Sequence, residues 1–320
     1  MEGLKKMDVI VLNLLVFAIG ALMIIKGGDW FVDAASWIAG ALRIPTFIIG
    51  ATIVSIATTL PEMLVSLMAA AEGKVEMAIG NAVGSVIANT GLIMAVAMLG
   101  MKIACPRKGY WKQFALFIAA AAGLYVFCLP GELNLIGCIV MALIFVVFLV
   151  QNVRSAKAQG EDDVPQQPQP GGAGKYIALF IVGAVGLAVG SQLLVRSGST
   201  LATLFGVPER VIAVTLVAVG TSLPELVTTI TAILKKQSSL SVGNILGANI
   251  IDLSLILPLS ALVSGKALPV AGNILALDLP FCLGMTLLAS VPILVRQKAT
   301  KVQGAVMLAA YAVYLWLVLF

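Results

Sequence analysis

The chain has 320 residues, of which 60% are hydrophobic and only 11% are charged, and its mean hydropathy is +1.07. Soluble domains carry about 25% charged residues, so this composition excludes a soluble globular protein and predicts a polytopic membrane protein. The net charge of +5 reflects basic residues placed beside membrane spans, and no nucleic-acid partner is expected.

Ten apolar runs are long enough to cross about 30 Å of hydrocarbon. Five of them precede a polar segment and five follow it. We therefore predict an all-α polytopic fold of ten transmembrane helices, with spans near 9–27, 46–71, 77–100, 113–129 and 134–151, and then near 175–204, 209–234, 240–264, 270–295 and 303–320.

The polar segment between the two groups combines an acidic run at 161–163, several Pro and Gln residues, and a Gly pair at 171–172. Such a composition is typical of a flexible linker. We predict a first five-helix repeat over 1–150, a cytoplasmic linker over 151–174 and a second repeat over 175–320. Because five is an odd number, the second group enters the membrane in the opposite sense, so the two repeats are inverted.

Basic residues predict the orientation of these spans. With the N-terminus outside, the cytoplasmic loops collect 13 Lys and Arg residues, counted along the sequence, and the outer side keeps five. The positive-inside rule favours this arrangement, which leaves both termini outside. We expect an integral protein of a prokaryotic inner membrane, surrounded by lipid and without an obligate protein partner.

The chain contains four cysteines and no histidine. Cys105, Cys128, Cys138 and Cys282 lie in or beside apolar spans without the paired spacing of a metal site, so we interpret them as small buried hydrophobic residues. The absence of histidine excludes a histidine proton switch. No cofactor is indicated.

Two motifs of the first half return in the second half. Thr58–Glu62 reads TTLPE and Thr221–Glu225 reads TSLPE, while Gly80–Gly84 reads GNAVG and Gly243–Gly247 reads GNILG. Each matched pair is 163 residues apart (225 − 62 = 163). A repeat that carries helix breakers and acids inside apolar segments points to a transporter site near the bilayer midplane.

Each proline of the repeat is followed directly by a glutamate. Pro61 and Pro224 leave the carbonyl four residues earlier without its helical donor, and in hydrocarbon such carbonyls must line a cavity or hold an ion. A carboxylate at the membrane centre costs about 3 kcal/mol or more and marks function. No basic residue lies in the middle of either span, so we expect protons or bound cations to compensate Glu62 and Glu225.

The helix after each glutamate carries a second line of polar positions. Residues that step by four occupy equivalent places in the two halves: Asn81, Ser85 and Asn89 in the first, and Asn244, Ala248 and Asp252 in the second. Neighbouring glycines allow close helix packing. Asp252 is a third acid inside an apolar run, and packing does not explain it.

The oxygen atoms of these residues suit a hard cation. The two glutamates and the main-chain carbonyls of Thr58 and Thr221 offer six oxygens. Ca²⁺ takes six to eight oxygen ligands and needs neither nitrogen nor sulfur, whereas zinc favours His or Cys. The nearby hydroxyls and the second polar line offer oxygens to Na⁺, which makes Asn81 and Asn244 candidate site residues as well.

At these residues the chain resembles the cation/calcium antiporter superfamily, whose two repeats carry GTSLPE and GNxxGSN motifs. The resemblance covers the whole chain, and the acid and amide set is similar to that of the prokaryotic Na⁺/Ca²⁺ exchangers. It implies that Glu62 and Glu225, with the carbonyls of Thr58 and Thr221, bind Ca²⁺. It further implies Na⁺ sites at Ser55, Thr59, Ser85, Ala218 and Ser222, and a middle site lined by Asn89 and Asp252.

The chain departs from the family pattern at four places. Ala57 stands where Gly is usual, Thr59 where Ser is usual, Val86 where Asn is usual, and Ala248 where a serine hydroxyl often helps to hold an outer sodium ion. The missing hydroxyl predicts a weaker sodium site. In the family the first and sixth helices slide across the core, and here those helices carry Gly20, Gly27, Gly28, Gly183, Gly186, Gly190 and Gly198.

We expect a Na⁺/Ca²⁺ antiporter that works by alternating access and extrudes Ca²⁺. Exchange of Ca²⁺ for protons, or K⁺-dependent exchange, remains open. A channel is disfavoured because an inverted repeat encloses its site within one chain, and an intramembrane enzyme is disfavoured because Asp252 and Asp278 lack a Gly-x-Gly-Asp context. We interpret Asp29 and Asp33 as solvated residues near the end of the first span, and Asp278 has no assigned role.

Overall fold

The computed structural model describes residues 2–103, 107–158, 172–207 and 218–319. Twelve helices and two short strands are described within these ranges. The helices are α1 (Glu2–Leu42), α2 (Thr46–Thr58), α3 (Leu60–Ala71), α4 (Val75–Gly100), α5 (Arg107–Cys128), α6 (Leu135–Ala158), α7 (Ala173–Leu204), α8 (Ala218–Thr221), α9 (Leu223–Leu234), α10 (Ser238–Ser264), α11 (Ile274–Arg296) and α12 (Lys301–Leu319). The strands are β1 (Glu132–Leu133) and β2 (Leu268–Pro269).

Among the described residues, eight helices are long and apolar enough to cross a membrane, and α2 with α3 makes a ninth when it is counted as one bent span. The prediction of a polytopic, helical membrane protein is confirmed. The remaining predicted span, 209–234, falls partly on residues 208–217, which lie outside the described ranges; its described part consists of α8 and α9. Of the predicted linker over 151–174, residues 159–171 also lie outside them, while 151–158 belong to α6 and 173–174 to α7.

The first helix is longer than the sequence indicates. The apolar run was expected to end at residue 27, where Lys26, Gly27, Gly28 and Asp29 interrupt it, but α1 continues without a break to Leu42. Glycine is tolerated in membrane helices when neighbours pack closely against it. Asp29 and Asp33 therefore lie inside a continuous helix rather than at its end, and Lys235 at the end of α9 pairs with both.

The second span bends where the sequence places its proline. The axes of α2 and α3 differ by 45°, and the bend lies at Thr59, which has φ −83° and ψ −2°. Pro61 stands in the first turn of α3, where its missing N–H breaks no helical hydrogen bond of that helix. Pro224 occupies the same position in α9. The breaks turn each span into two half-helices.

The third and eighth predicted spans form the centre of the protein. In their most apolar 18-residue stretches, α4 and α10 are 78% and 72% buried inside the protein, whereas α1 is only 11% buried. α10 packs closely on α2, because a Cβ at Gly243 would lie 3.0 Å from the Ala51 nitrogen and one at Gly247 would lie 2.6 Å from the Ala51 oxygen. Two glycines four residues apart thus let these helices meet backbone to backbone.

The first helix of each half packs against the other through glycines. A Cβ at Gly20 would lie 2.9 Å from the Gly190 oxygen, and one at Gly27 would lie 2.9 Å from the Gly183 oxygen. As the residue number rises along α1 from 20 to 27, the number of the contacted residue on α7 falls from 190 to 183, so the two helices run antiparallel. Gly28 instead faces Val227 of α9. Most of these glycines therefore bring the two helices against each other rather than against the central helices.

Main-chain hydrogen bonds link the first half of the chain to the second at both ends of the helix bundle. β1 and β2 pair antiparallel, with Glu132 opposite Pro269 and Leu133 opposite Leu268. At the other end, the Ala299 amide donates to the Ile103 carbonyl at 3.0 Å. The cysteines at 128, 138 and 282 are free and buried, as predicted, while Cys105 lies outside the described residues.

Candidate cation-binding site

Glu62 and Glu225 lie in the first turns of α3 and α9, directly after the two breaks. Their exposed fractions are only 1% and 0%. The N-terminus of a helix carries a partial positive charge, which favours a carboxylate at this position. Each proline-induced break therefore produces a helix start inside the protein, and each start carries one buried acid.

The break of one half contacts the acid of the other. The Thr59 hydroxyl donates to Oε1 of Glu225 at 3.4 Å, a long hydrogen bond. Ser222, which is 163 residues after Thr59, lies beside the Glu62 carboxylate. Both oxygens of Glu62, Oε2 of Glu225 and the Ser222 hydroxyl have no hydrogen-bond partner in the protein. Buried carboxylate oxygens need compensation, so these atoms fit a cation-binding role.

The two asparagines hold the half-helices that carry the acids. The Asn81 amide donates to the Glu62 carbonyl at 3.1 Å and to the Ser66 hydroxyl at 2.9 Å. The Asn244 amide donates to the Thr228 hydroxyl at 3.0 Å, and that hydroxyl in turn shares its proton between the carbonyls of Pro224 at 2.8 Å and Glu225 at 3.0 Å. Their amide groups thus point at the backbone and hydroxyls of α3 and α9.

A second pair of polar residues lies deeper along α4 and α10. Asn89 and Asp252 each begin a π-helical turn, Asn89–Met94 and Asp252–Ile256. The Asn89 Oδ1, both carboxylate oxygens of Asp252 and the Ser85 hydroxyl are buried without a hydrogen-bond partner in the protein. Wide turns of this kind occur frequently at functional sites because they redirect side chains. Neither turn was predicted from the amino-acid sequence.

The remaining predicted residues lie around the two breaks. The Thr58 hydroxyl donates to the Asn244 Oδ1 at 3.1 Å and to the Ser55 carbonyl at 3.3 Å, which joins the two halves. The Ser55 hydroxyl donates to the Thr52 carbonyl at 3.1 Å. Thr221 ends α8 in the equivalent place of the second half, and the side chain of Ala218 lies outside the described residues.

The structure thus gathers most of the predicted residues in one region. Glu62 lies within electrostatic range of Glu225 and Asp252, and the buried polar side chains of the described chain include no Lys or Arg. Within the described ranges, no three His, Cys, Asp or Glu side chains group tightly enough to hold a metal by themselves. Any cation here would need hydroxyl, amide or main-chain oxygens as well.

Two contacts, one buried and one partly buried, were not predicted from the sequence. The Asn249 amide donates to the Thr90 hydroxyl at 3.0 Å and so links α10 to α4, and its Oδ1 has no partner in the protein. The GNxxGxN spacing of the second repeat could have found this asparagine. Tyr314 donates to Oδ1 of Asp278 at 3.0 Å, which gives that acid a partner on α12.

Comparison with known proteins places the chain in one family. The family model described as sodium/calcium exchanger protein matches residues 12–153 and 175–320. The putative antiporter CaxA of Alkalimonas amylolytica is 32% identical over 93% of this chain and 96% of its own length. The sodium/calcium exchanger MaX1 of Methanosarcina acetivorans is 30% identical over 96% of this chain and 98% of its own length.

A solved structure agrees with the fold. The sodium-calcium exchanger NCX_Mj soaked with Na⁺ and Sr²⁺ superposes with a TM-score of 0.83 and 29% identity, covering 95% of this chain and 98% of that one. The matching family is one of transporters rather than enzymes. The chain is an integral membrane protein that belongs to the sodium/calcium exchanger protein family.

Proposed function

We propose that this protein is a secondary antiporter that exchanges Na⁺ for Ca²⁺ by alternating access and so extrudes Ca²⁺. The observation that carries the proposal is the pair of buried glutamates. Glu62 and Glu225 start two half-helices from opposite halves of the chain, and three of their four carboxylate oxygens have no hydrogen-bond partner in the protein. Two carboxylates together balance one divalent charge.

We propose that Ca²⁺ binds between these two acids, with main-chain oxygens of Thr58 and Thr221 completing its shell. Carboxylates and carbonyls are the ligands that Ca²⁺ prefers, at about 2.3–2.6 Å. Na⁺ would bind the same acids in competition with Ca²⁺, using the hydroxyls of Ser55, Thr59, Ser85 and Ser222 and the backbone of Ala218. Asn89 and Asp252 would line the middle of the site, where their unpartnered oxygens lie.

Asn81 and Asn244 have a different proposed role. Their amide nitrogens donate to α3 and α9, so we assign them to positioning of the half-helices that carry the glutamates. The hydroxyl of Thr58 donates to the side-chain oxygen of Asn244, which ties this asparagine to the break of the first half. These contacts support an indirect effect of both asparagines on cation affinity.

Competition for one set of acids explains coupled exchange. Burying bare carboxylates away from water costs several kcal/mol per ion. A protein with an empty site therefore resists switching, whereas one loaded with Ca²⁺ or Na⁺ can close. Under an inward sodium gradient, Na⁺ then enters the cell in exchange for Ca²⁺, which moves outward.

The proposed architecture is ten helices in two inverted five-helix repeats, over 1–150 and 175–320, joined by a cytoplasmic linker, with both termini outside. Contacts between the halves support the repeat. The Gly20–Gly190 contact becomes the Gly183–Gly27 contact when 163 is added to the first residue and subtracted from the second. The same operation converts the Thr59–Glu225 pair into Ser222–Glu62.

The names of two relatives favour sodium as the driving ion, since MaX1 and NCX_Mj are both described as sodium/calcium exchangers. The test is uptake of radioactive Ca²⁺ into proteoliposomes loaded with Na⁺ and diluted into Na⁺-free buffer, with pH and K⁺ equal on both sides. We expect uptake that requires internal Na⁺ and disappears in Glu62→Gln and Glu225→Gln.

Glu76→Gln serves as the matched control, because Glu76 is an exposed carboxylate in the first turn of α4. It should transport normally. Uptake that does not require internal Na⁺ but depends on an imposed pH gradient would assign the protein to Ca²⁺/H⁺ exchange. Uptake that needs K⁺ together with Na⁺ would assign it to K⁺-dependent exchange.

A further inference from the structure

One end of the bundle is bridged by an ion pair between α1 and α9. Lys235 Nζ lies 2.7 Å from Oδ1 of Asp33 and 3.5 Å from Oδ1 of Asp29, and it also donates to the Asp29 carbonyl at 2.9 Å. The lysine side chain is only 26% exposed. These contacts join the first helix of one half to the half-helix that carries Glu225 in the other.

The repeat offset assigns a counterpart to each member of this pair. Subtracting 163 from Lys235 gives Glu72, and adding 163 to Asp33 gives Arg196. An acid thus corresponds to the lysine and a base to the aspartate, so the two counterparts again carry opposite charges. Glu72 follows the last residue of α3 as Lys235 follows the last residue of α9. The chain therefore places a second acid–base couple at the symmetry-related position.

The second couple is apart in this structure. Glu72 and Arg196 both line a cavity of about 420 Å³, and Pro61 and Thr221 of the two breaks line it as well. Glu72 pairs with Lys74 at 2.7 Å, and no ion pair involving Arg196 occurs among the described side chains. Because α1 and α7 are antiparallel, Asp33 and Arg196 lie towards opposite ends of the bundle. One end is thus bridged, while the other is open.

We propose that Glu72 and Arg196 pair in the alternate state, closing this cavity while the Asp33–Lys235 pair separates. The two couples then form a two-position latch, and only one of them is made at a time. This inference rests on the proposed alternating access. Exposed ion pairs contribute little stability, so neither couple would lock the protein, as a transporter that must visit both states requires.

The latch can be tested by distances alone, without any transport. Spin labels on Met68→Cys of α3 and Gln192→Cys of α7 would span the cavity, since both residues are exposed and line it. The background would have Cys105, Cys128, Cys138 and Cys282 replaced by alanine. Pulsed electron paramagnetic resonance in lipid nanodiscs, with Na⁺ and then with Ca²⁺, should resolve a long and a short distance.

Arg196→Glu places two acids across the cavity. It should lower the population with the short distance, relative to the population with the long distance, roughly fivefold, which corresponds to the loss of one exposed ion pair. The double variant Glu72→Arg with Arg196→Glu should restore the ratio. Asp33→Asn, which breaks the pair observed here, should raise it. High salt should weaken all three effects because exposed charges are screened.

An unchanged ratio in Arg196→Glu, or a double variant that fails to restore it, would overturn the latch. Size-exclusion profiles that match the parent protein would establish that the variants fold. If the parent protein shows no Na⁺-driven Ca²⁺ uptake, the proposed function is overturned instead. The two failures are distinguishable, because the distances report the conformation whether or not Ca²⁺ is the transported ion.

Discussion

The hydroxyl of Thr59 lies 3.4 Å from Oε1 of Glu225, although 166 residues separate them in the sequence. Thr59 is the residue at which the second span bends, and Glu225 is the buried acid of the opposite half. The bend in the first half of the chain thus contacts the buried acid of the second half.

Replacing Thr59 by valine keeps the side-chain shape but removes the hydroxyl. If this oxygen helps to hold Na⁺ beside Glu225, the Na⁺ concentration that half-saturates exchange should rise about tenfold, the effect of losing one hydrogen bond to a charged group. Thr203→Val is the control, since Thr203 is exposed and bonds only the Ser199 carbonyl of its own helix. Equal Na⁺ dependence in both variants would exclude the role.

Replacing Asn244 by leucine should destabilise the protein. Its side chain accepts from Thr58 and donates to Thr228, so leucine leaves two buried hydroxyls without this partner, at a cost of about 2 kcal/mol. We expect a lower Tm in detergent and weaker Ca²⁺ binding. Asn13→Leu is the control, because the Asn13 amide bonds only the Val9 carbonyl on an exposed part of α1. A Tm equal to that of the parent would contradict the prediction.

Replacing Gly247 by alanine should prevent the close packing of α10 on α2. The added carbon would lie 2.6 Å from the Ala51 carbonyl and 2.5 Å from the Ser55 hydroxyl oxygen, so a backbone must shift. Overpacking of this kind costs about 1–3 kcal/mol. Gly284→Ala offers a matched control within α11, where nothing lies within 4 Å of the new carbon. Thermal unfolding of both variants measures the difference, and similar Tm values would refute the packing argument.

Restoring a hydroxyl at Ala248 should strengthen sodium binding. Ala248 is fully buried on α10, four residues before Asp252, at the place where the family often has serine. Ala248→Ser should lower the Na⁺ concentration needed for half-maximal exchange by roughly fivefold, the effect of about 1 kcal/mol from one added ligand oxygen. Ca²⁺ affinity measured without Na⁺ should stay within about twofold. A parallel change of both affinities would indicate an altered helix position instead.

The features that the sequence predicted well have strong chemical signatures. Proline cannot continue a helical hydrogen-bond pattern, so the bend before Pro61 follows from residue type. Glu62 and Glu225 stand out because acids are rare in apolar runs. Both signals are local, and the constant offset of 163 residues links the two motifs within the sequence itself.

Other features depend on contacts between distant residues. The break at Lys26 to Asp29 looked like the end of a span, and only the close packing against α7 and the pairing with Lys235 explain why α1 continues. The π-helical turns at Asn89 and Asp252 have no signature in residue type. Such features follow from tertiary packing, which a local reading of the sequence does not contain.

The packing of α2 against α10 has a consequence for the covalent chain. Because Gly243 and Gly247 of the second half meet the backbone of Phe47 and Ala51 of the first, neither half can complete its core alone. Proteolytic cleavage between residues 158 and 172 should therefore leave two fragments that purify together as one complex. Two separate polypeptides, one for each half of the chain, could then reassemble into one folded protein when they are expressed in the same cell.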